Sequence, residues 1–479
     1  MVTAPEALLP ASFALALDPS TRVIDGGRVL IGGSPLRIMR LTAGGAEVVA
    51  ALSAGEPVGP SAARQRLARR LLDAGLAQPR PSAAPFAIGD VTIVVPTHGE
   101  PPALEQTLVA LRVDAPTVRI IVVDDASPAS ESEALAATAA RHGAELVVRP
   151  ANGGPGAARN TGLALVTTPV VAFVDRDVEP QPGWLEPLLA HLADPHVALV
   201  APRVRATPGS ASLAQFERER SPLDLGSAEA RVVAGSRVSY VPSTSIIARR
   251  DVLAALGGFD ERLQVGEDVD LVWRLNELGH DVRYEPSSVV HHPTRTTLAQ
   301  WARQRYGYGE SAALLDERHP GSVPPISMSG WTLAAWGLAA AGHPVLGVGV
   351  AASTTALLPT KLGALEHPWQ ESLRLAGTGH ARAWEPLAAA LTRTWWPATL
   401  AAALVSKRAR RVAIAAVVVP AMIEWSRRDR ALDPLRFTAL RVLDDASYGA
   451  GVWAGCVRAR RWGPLTPSLR SWPGRRTPT

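Results

Sequence analysis

Val170-Val171-Ala172-Phe173-Val174-Asp175-Arg176-Asp177 is a run of five apolar residues closed by two carboxylates two positions apart. So short an apolar run reads as a strand buried on both faces. The pattern recurs upstream in Val91-Thr92-Ile93-Val94-Val95-Pro96, in Arg119-Ile120-Ile121-Val122-Val123 and in Glu145-Leu146-Val147-Val148. Between these runs, Ala103 to Leu111, Glu131 to His142 and Gly156 to Leu165 read as helices. Strands alternating with helices predict an α/β fold with a mostly parallel sheet covered on both faces. Such sheets bind ligands beyond the carboxyl ends of their strands. Asp124, Asp125, Asp175 and Asp177 all fall there.

On the N-terminal side, residues 1–80 read as a small α+β module. Val23 to Ile31 is a hairpin turning on Asp25-Gly26-Gly27, and Thr42 to Leu52 and Ala62 to Ala74 are helices, the second ended by Gly75. The Pro- and Ala-rich stretch Ala77 to Ala87 reads as a linker. The sheet domain is expected over 88–318. Beyond it, 319–460 reads as an apolar helical region, with no Asp, Glu, Lys or Arg between Arg318 and Lys361. Residues 461–479 read as a flexible tail.

A hydrophobic share of 47% supports a large core, and the net charge of +5 makes a weak case for any polyanion, so no nucleic-acid partner is expected. The lone Cys456 excludes an internal disulfide and a cysteine-built metal site, and fits a reducing compartment. The apolar stretch Ala7 to Leu17 has no basic flank and contains Pro10, which argues against a signal peptide. A cytoplasmic active site is expected.

Asp175 and Asp177 can meet one oxygen-seeking divalent ion, Mg²⁺ or Mn²⁺, that bridges two phosphates of a nucleotide sugar. Asp124-Asp125 can accept bonds from a base or ribose, although Asp and Ser127 are also ordinary turn residues. Glu267, Asp268 and Asp270 suit the dipole at a helix start, and one of them can equally be the base that takes a proton from an acceptor hydroxyl. His291 or His292 can add a metal ligand or simply end a strand. Arg303 and Arg305, among Trp301, Tyr306 and Tyr308, can hold a leaving diphosphate or form a solvated basic face. Asn152 to Gly162 can support a donor phosphate, or use its glycines for close packing.

Taken in order, Pro96-Thr97, Asp124-Asp125, Asn152-Gly153-Gly154 through Arg159-Asn160, Asp175-Arg176-Asp177, Gly266-Glu267-Asp268 and Gln300 through Arg305-Tyr306 resemble the family 2 glycosyltransferases over residues 90 to about 310. The resemblance implies a GT-A fold, a nucleoside-diphosphate sugar, Mg²⁺ or Mn²⁺, and inversion. It implies that Pro96, Thr97, Asp124, Asp125, Asn152, Gly153, Arg159, Asp175, Arg303 and Arg305 face the donor. Asp175, Asp177 and His292 would take the metal, and Asp268 with Glu267 the catalysis. More closely, Val29 to Arg37, Leu72 to Leu76 and Arg318-His319-Pro320-Gly321 resemble the mycofactocin-system glycosyltransferases, whose N-terminal module is similar to PqqD-type peptide-recognition domains. That implies glucosylation of a peptide-derived redox cofactor, from UDP-glucose, into a short β-linked glucan.

Three other readings compete. A non-catalytic binding protein would not need a metal pair and a base together. A transferase for cell-envelope polysaccharide or a lipid suits the apolar C-terminal region but leaves the N-terminal module without a task. A nucleotidyltransferase leaves Glu267-Asp268 unexplained. Ser322 to Thr360 is long enough to cross a bilayer but is broken by Pro324, Pro325, His343 and Pro344. It reads as one kinked span, a re-entrant hairpin or a buried helical pair, and together with Lys407-Arg408-Ala409-Arg410-Arg411 it predicts association with the cytoplasmic face of a membrane, against a soluble helical C-terminal domain.

Overall fold

The computed structural model describes residues 8–470. The chain forms two compact units. One holds residues up to 208 with 220–294, and the other holds 209–219 with the chain from 295 onward.

The first unit starts with β1 (Ala14–Leu17), β2 (Arg22–Ile24), β3 (Val29–Gly32), β4 (Arg37–Arg40), α1 (Ala43–Ser53), α2 (Ala62–Asp73) and β5 (Ala77–Arg80). The expected hairpin is present, with Arg22 opposite Ile31 and Ile24 opposite Val29. The Asp25-Gly26-Gly27 turn has φ of 54°, 60° and 89°, a geometry that glycine adopts readily. Thr42 caps α1 by accepting from the Gly45 amide at 3.1 Å. Leu30, Leu52, Leu71 and Leu76 form a core local to this module. One reading is corrected here: residues 77–80, expected in a linker, form β5, antiparallel to β1. Pro79 is tolerated because β5 pairs on one side only.

The large sheet follows. It contains β6 (Val91–Thr97), β7 (Arg119–Asp124), β8 (Glu145–Val148), β9 (Val170–Val174), β10 (Glu179–Pro180), β11 (Val197–Ala206), β12 (Ala230–Arg231), β13 (Ser245–Arg249) and β14 (Asp281–His292). The order is β10-β14-β11-β13-β9-β6-β7-β8, with β12 also on β14. Strands β6 to β9 are parallel, as is β11 with β14. Strand β13 is antiparallel to both β9 and β11. Helices α3 (Pro101–Asp114), α4 (Ala129–Arg141), α5 (Pro155–Leu165), α6 (Leu185–His191), α8 (Arg250–Leu256) and α9 (Glu267–Glu277) accompany it, while α7 (Ser212–Arg220) falls almost wholly in the second unit. Helix α5 lies close to the sheet at Gly162, where an added Cβ would strike Val94.

The N-terminal module is bound to this sheet by charge. Arg69 of α2 donates to Asp194 at 2.7 and 3.0 Å and to Asp281 at 3.0 Å. Arg231 donates to Asp281 at 2.6 Å, and Arg80 pairs with Glu229 at 2.5 Å.

The second unit is helical: α10 (Leu298–Arg318), α11 (Gly330–Ala340), α12 (Pro344–Leu357), the short α13 (Pro368–Ser372), α14 (Thr378–Arg382) and α15 (Trp384–Ala389), then α16 (Trp396–Val405), α17 (Lys407–Ser426) and α18 (Pro434–Ala459). Helices α10 and α18 approach so closely that a Cβ on Gly451 would strike the Tyr306 carbonyl. Helix α10, expected to close the sheet domain, belongs to this unit. The stretch Ser322 to Thr360 is divided at Gly342-His343-Pro344 into α11 and α12, of 11 and 14 residues, a helical pair rather than one kinked span. Among the described residues no helix is long and apolar enough to cross a membrane. Part of the expected flexible tail is ordered, since β16 (Ser468–Arg470) runs parallel to β15 (Ser327–Ser329). Residues 471–479 of that tail lie outside the described residues.

Candidate active site

At the end of β9 the Asp175 amide donates to the Thr244 carbonyl at 2.9 Å. One residue earlier, the Ser243 amide donates to Asp268 Oδ2 at 3.3 Å. The chain entering β13 therefore brings the first carboxylate of the Asp175/Asp177 pair to the start of α9. Arg159, on α5 and only 2% exposed, joins them. Its Nη2 donates to Asp175 Oδ1 at 2.6 Å and its Nη1 to Glu267 Oε1 at 3.0 Å. Its guanidinium also lies 5.3 Å from the ring centre of Phe259, which meets Phe173 edge-on. A buried guanidinium needs such partners.

The carboxyls around it titrate high. Burial raises Asp175; Arg159 pulls it back and Asp177 adds to the rise. Burial and then Asp268 push Glu267 up to about 7, against the pull of Arg159. Burial also raises Asp268, although the Val269 and Ser243 amides donate to it. Asp270, the third acid of this turn, pairs with Arg274 at 2.7 Å.

Asp177 Oδ1 stands 3.7 Å from His292 Nε2. His291 instead lies against Gln181, Nδ1 to Nε2 at 3.1 Å, so His292 is the histidine on the carboxylate side. Among the described residues, no three His, Cys, Asp or Glu side chains form a ready-made metal cage. Asp177 and His292 lie close enough to share an ion that keeps water and substrate oxygens in its shell, as Mg²⁺ does.

The residues expected at the nucleoside end are more heavily committed. Asp124 is fully buried: Oδ1 accepts from Ser127 and Oδ2 from Ser132 at 2.6 Å. Both oxygens act as an internal cap of the turn after β7. Asp125 binds the Asn-Gly-Gly loop, accepting from the Gly154 amide at 2.7 Å and the Gly153 amide at 3.1 Å, and it pairs with Arg149. The Gly153 amide thus serves a carboxylate of the chain itself. Asn152 remains exposed, its Nδ2 at 3.3 Å from His98 Nδ1. Pro96 is buried within β6, beside Val123. Thr97 bonds the Gly99 carbonyl at 3.0 Å. Arg159, for its part, joins two carboxylates within the protein.

Arg303 and Arg305 lie on α10, in the second unit. Arg303 is exposed. Arg305 is buried, pairing with Glu217 and with Asp444 at 2.8 Å. It therefore ties α7, α10 and α18 together.

The glycosyl transferase family 2 model matches residues 92–257, the stretch from β6 to just past α8. Across 97% of this chain, the pre-mycofactocin glycosyltransferases of two Mycobacterium tuberculosis strains are 41% identical, and 99% of their own length is covered. The chain belongs to this glycosyltransferase family. It is an enzyme that moves a sugar. A probable glycosyltransferase of Bacillus subtilis, YdaM, is 25% identical over 45% of this chain and 53% of its own. Among solved structures, the mannosyltransferase PcManGT of Pyrobaculum calidifontis, in complex with GDP-Man and Mn²⁺, is 19% identical with a TM-score of 0.39. It covers 64% of this chain and 89% of its own.

Several residues that contact these candidate positions carry no sequence signal. Arg149 pairs with Asp125 from the end of β8, and Arg176 meets Glu100 at 3.1 Å. Ser243 and Thr244 supply backbone contacts, which no side-chain motif announces.

Proposed function

We propose that this glycosyltransferase moves a hexose, glucose from UDP-glucose, onto a hydroxyl of a peptide-derived redox cofactor of the mycofactocin type, with inversion, and extends it as a short β-linked glucan. The observation that carries the reading is the Asp175–Arg159–Glu267 bridge, with Asp268 beside it, at the carboxyl end of the sheet. The acceptor follows from what the 41% identical relatives are called, and the N-terminal module would hold its peptide part.

On this reading Asp175, Asp177 and His292 hold Mg²⁺ or Mn²⁺, which when bound supplies charge neutralisation at the donor diphosphate. Asp125, Thr97 and Asn152 frame the nucleoside end. Asp268 accepts the acceptor hydroxyl's proton as that oxygen bonds to sugar C1. The bond from C1 to the diphosphate oxygen breaks on the opposite face, and the nucleoside diphosphate leaves with its electron pair. Arg159 and Glu267 fix the start of α9, which keeps Asp268 in place.

Thermal shift with UDP-glucose and other nucleotide sugars, each with Mn²⁺, Mg²⁺ or chelator, tests the donor, because ligands stabilise the state they bind. Metal-dependent stabilisation by UDP-glucose is expected. Stabilisation by a different nucleotide sugar alone would replace the donor. Asp268→Asn should keep that shift and lose transfer by about 10²–10⁴-fold. Undiminished turnover would remove Asp268 as the base.

A further inference from the structure

In the second unit two helical hairpins end side by side. The α11–α12 hairpin turns at Ala341 to His343, and the α16–α17 hairpin turns at Ser406. Arg408 bonds the Ala341 carbonyl and so joins the two turns. Around the junction the apolar side chains face outward. Val345 is 83% exposed, Leu346 59%, Leu404 72% and Val405 88%.

The charge around this tip is of one sign. Lys407, Arg408, Arg410 and Arg411 occupy the opening of α17, where the helix dipole is already positive. Lys407 and Arg411 stand one turn apart, a spacing that costs energy for like charges. No Asp or Glu occurs from 318 to 365 or from 386 to 423. Among the described residues, none of the four cations pairs with a carboxylate. An apolar tip ringed by uncompensated cations complements a surface that is anionic outside and apolar beneath.

We propose that this double-hairpin tip docks the enzyme on an anionic phospholipid surface, its four apolar side chains entering the headgroup boundary while the basic residues meet lipid phosphates. A second copy of the chain would carry the same cations and repel them. The helices lie on the bilayer and do not cross it, since among the described residues none is both long and apolar enough to span one.

Flotation of the full chain with vesicles tests this. One set is phosphatidylcholine alone, and the other contains about one third phosphatidylglycerol. Binding to the anionic vesicles only, weakening as salt rises, is expected. Lys407→Gln with Arg411→Gln should weaken binding by roughly fivefold per residue. Leu404→Ser with Val405→Ser should abolish it while the melting temperature holds, since both positions are exposed. Failure to float with anionic vesicles at low salt would overturn the proposal. So would binding unaffected by both double variants, or self-association at this tip without lipid binding.

Discussion

Arg159 serves two carboxylates from one buried position. Replacing it by Met would leave Asp175 and Glu267 without their cation. The expected loss is about 3–5 kcal/mol, read from the denaturant midpoint at about pH 8. An unchanged midpoint would reject the bridge. Glu267 gives a second test with a definite sign. Its folded value of about 7 lies above the 4.5 of a free glutamate, so the folded chain holds the proton more tightly. The stability this carries is complete below about pH 4.5 and is lost as pH rises through about 7. Glu267→Gln removes the titration. The stability of wild type relative to that variant should therefore fall between about pH 5 and about pH 8. A flat difference would show that Glu267 titrates normally. At this scale the sequence was half legible. Carboxylates at the end of an apolar strand singled out Asp175 and Asp177, and an acidic helix start singled out Asp268. The partner of Arg159 could not be read, because Glu267 lies 108 residues away and only folding brings them together. The demand on Asp124 was nearer to hand, in Ser127 and Ser132, but those residues look the same whether they cap a carboxylate or only turn the chain.

Among elements, the buried strands were the most legible, because β6, β7 and β9 are continuous apolar runs with no competing period. Strand β5 was hidden by Pro79, which reads as a breaker wherever the neighbouring strand is unknown. Strand β13 is five residues between polar loops, and its antiparallel course depends on β9 and β11 lying ready on either side. Helix α5 carries a sharper requirement. Gly162 lets it press against β6, so Gly162→Ala should cost about 1–3 kcal/mol by overpacking against Val94. Urea unfolding would measure this, and a neutral result would mean that α5 can shift freely on the sheet.

In the first unit as a whole, the N-terminal module is locked to the sheet by the Arg69, Asp194, Asp281 and Arg231 network. Arg69→Ala would leave Asp194 and Asp281, each 4% exposed at the side chain, short of a cation. About 3–5 kcal/mol should be lost, with faster proteolysis after residue 80. Burial favours protonation of Asp281, but Arg231 and Arg69 outweigh it and hold the carboxyl below its ordinary range. The contribution of Asp281 is therefore present above the usual aspartate value of about 4 and is lost as pH falls through the folded value. Asp281→Asn should flatten the acid limb of the unfolding curve. An acid limb identical to wild type would place the lock elsewhere.

The same lock sets an order of events on the ribosome. Arg69 precedes its partner Asp281 by 212 residues, so at about 5–20 residues per second the partner emerges about 10–40 s later. The module has its own core in Leu30, Leu52 and Leu71, and it can fold during that interval. The part of its charged face that meets Asp281 must then stay hydrated until β14 is synthesised. A nascent chain stalled before Asp281 should therefore display a folded module whose lock to the sheet still lacks Asp281.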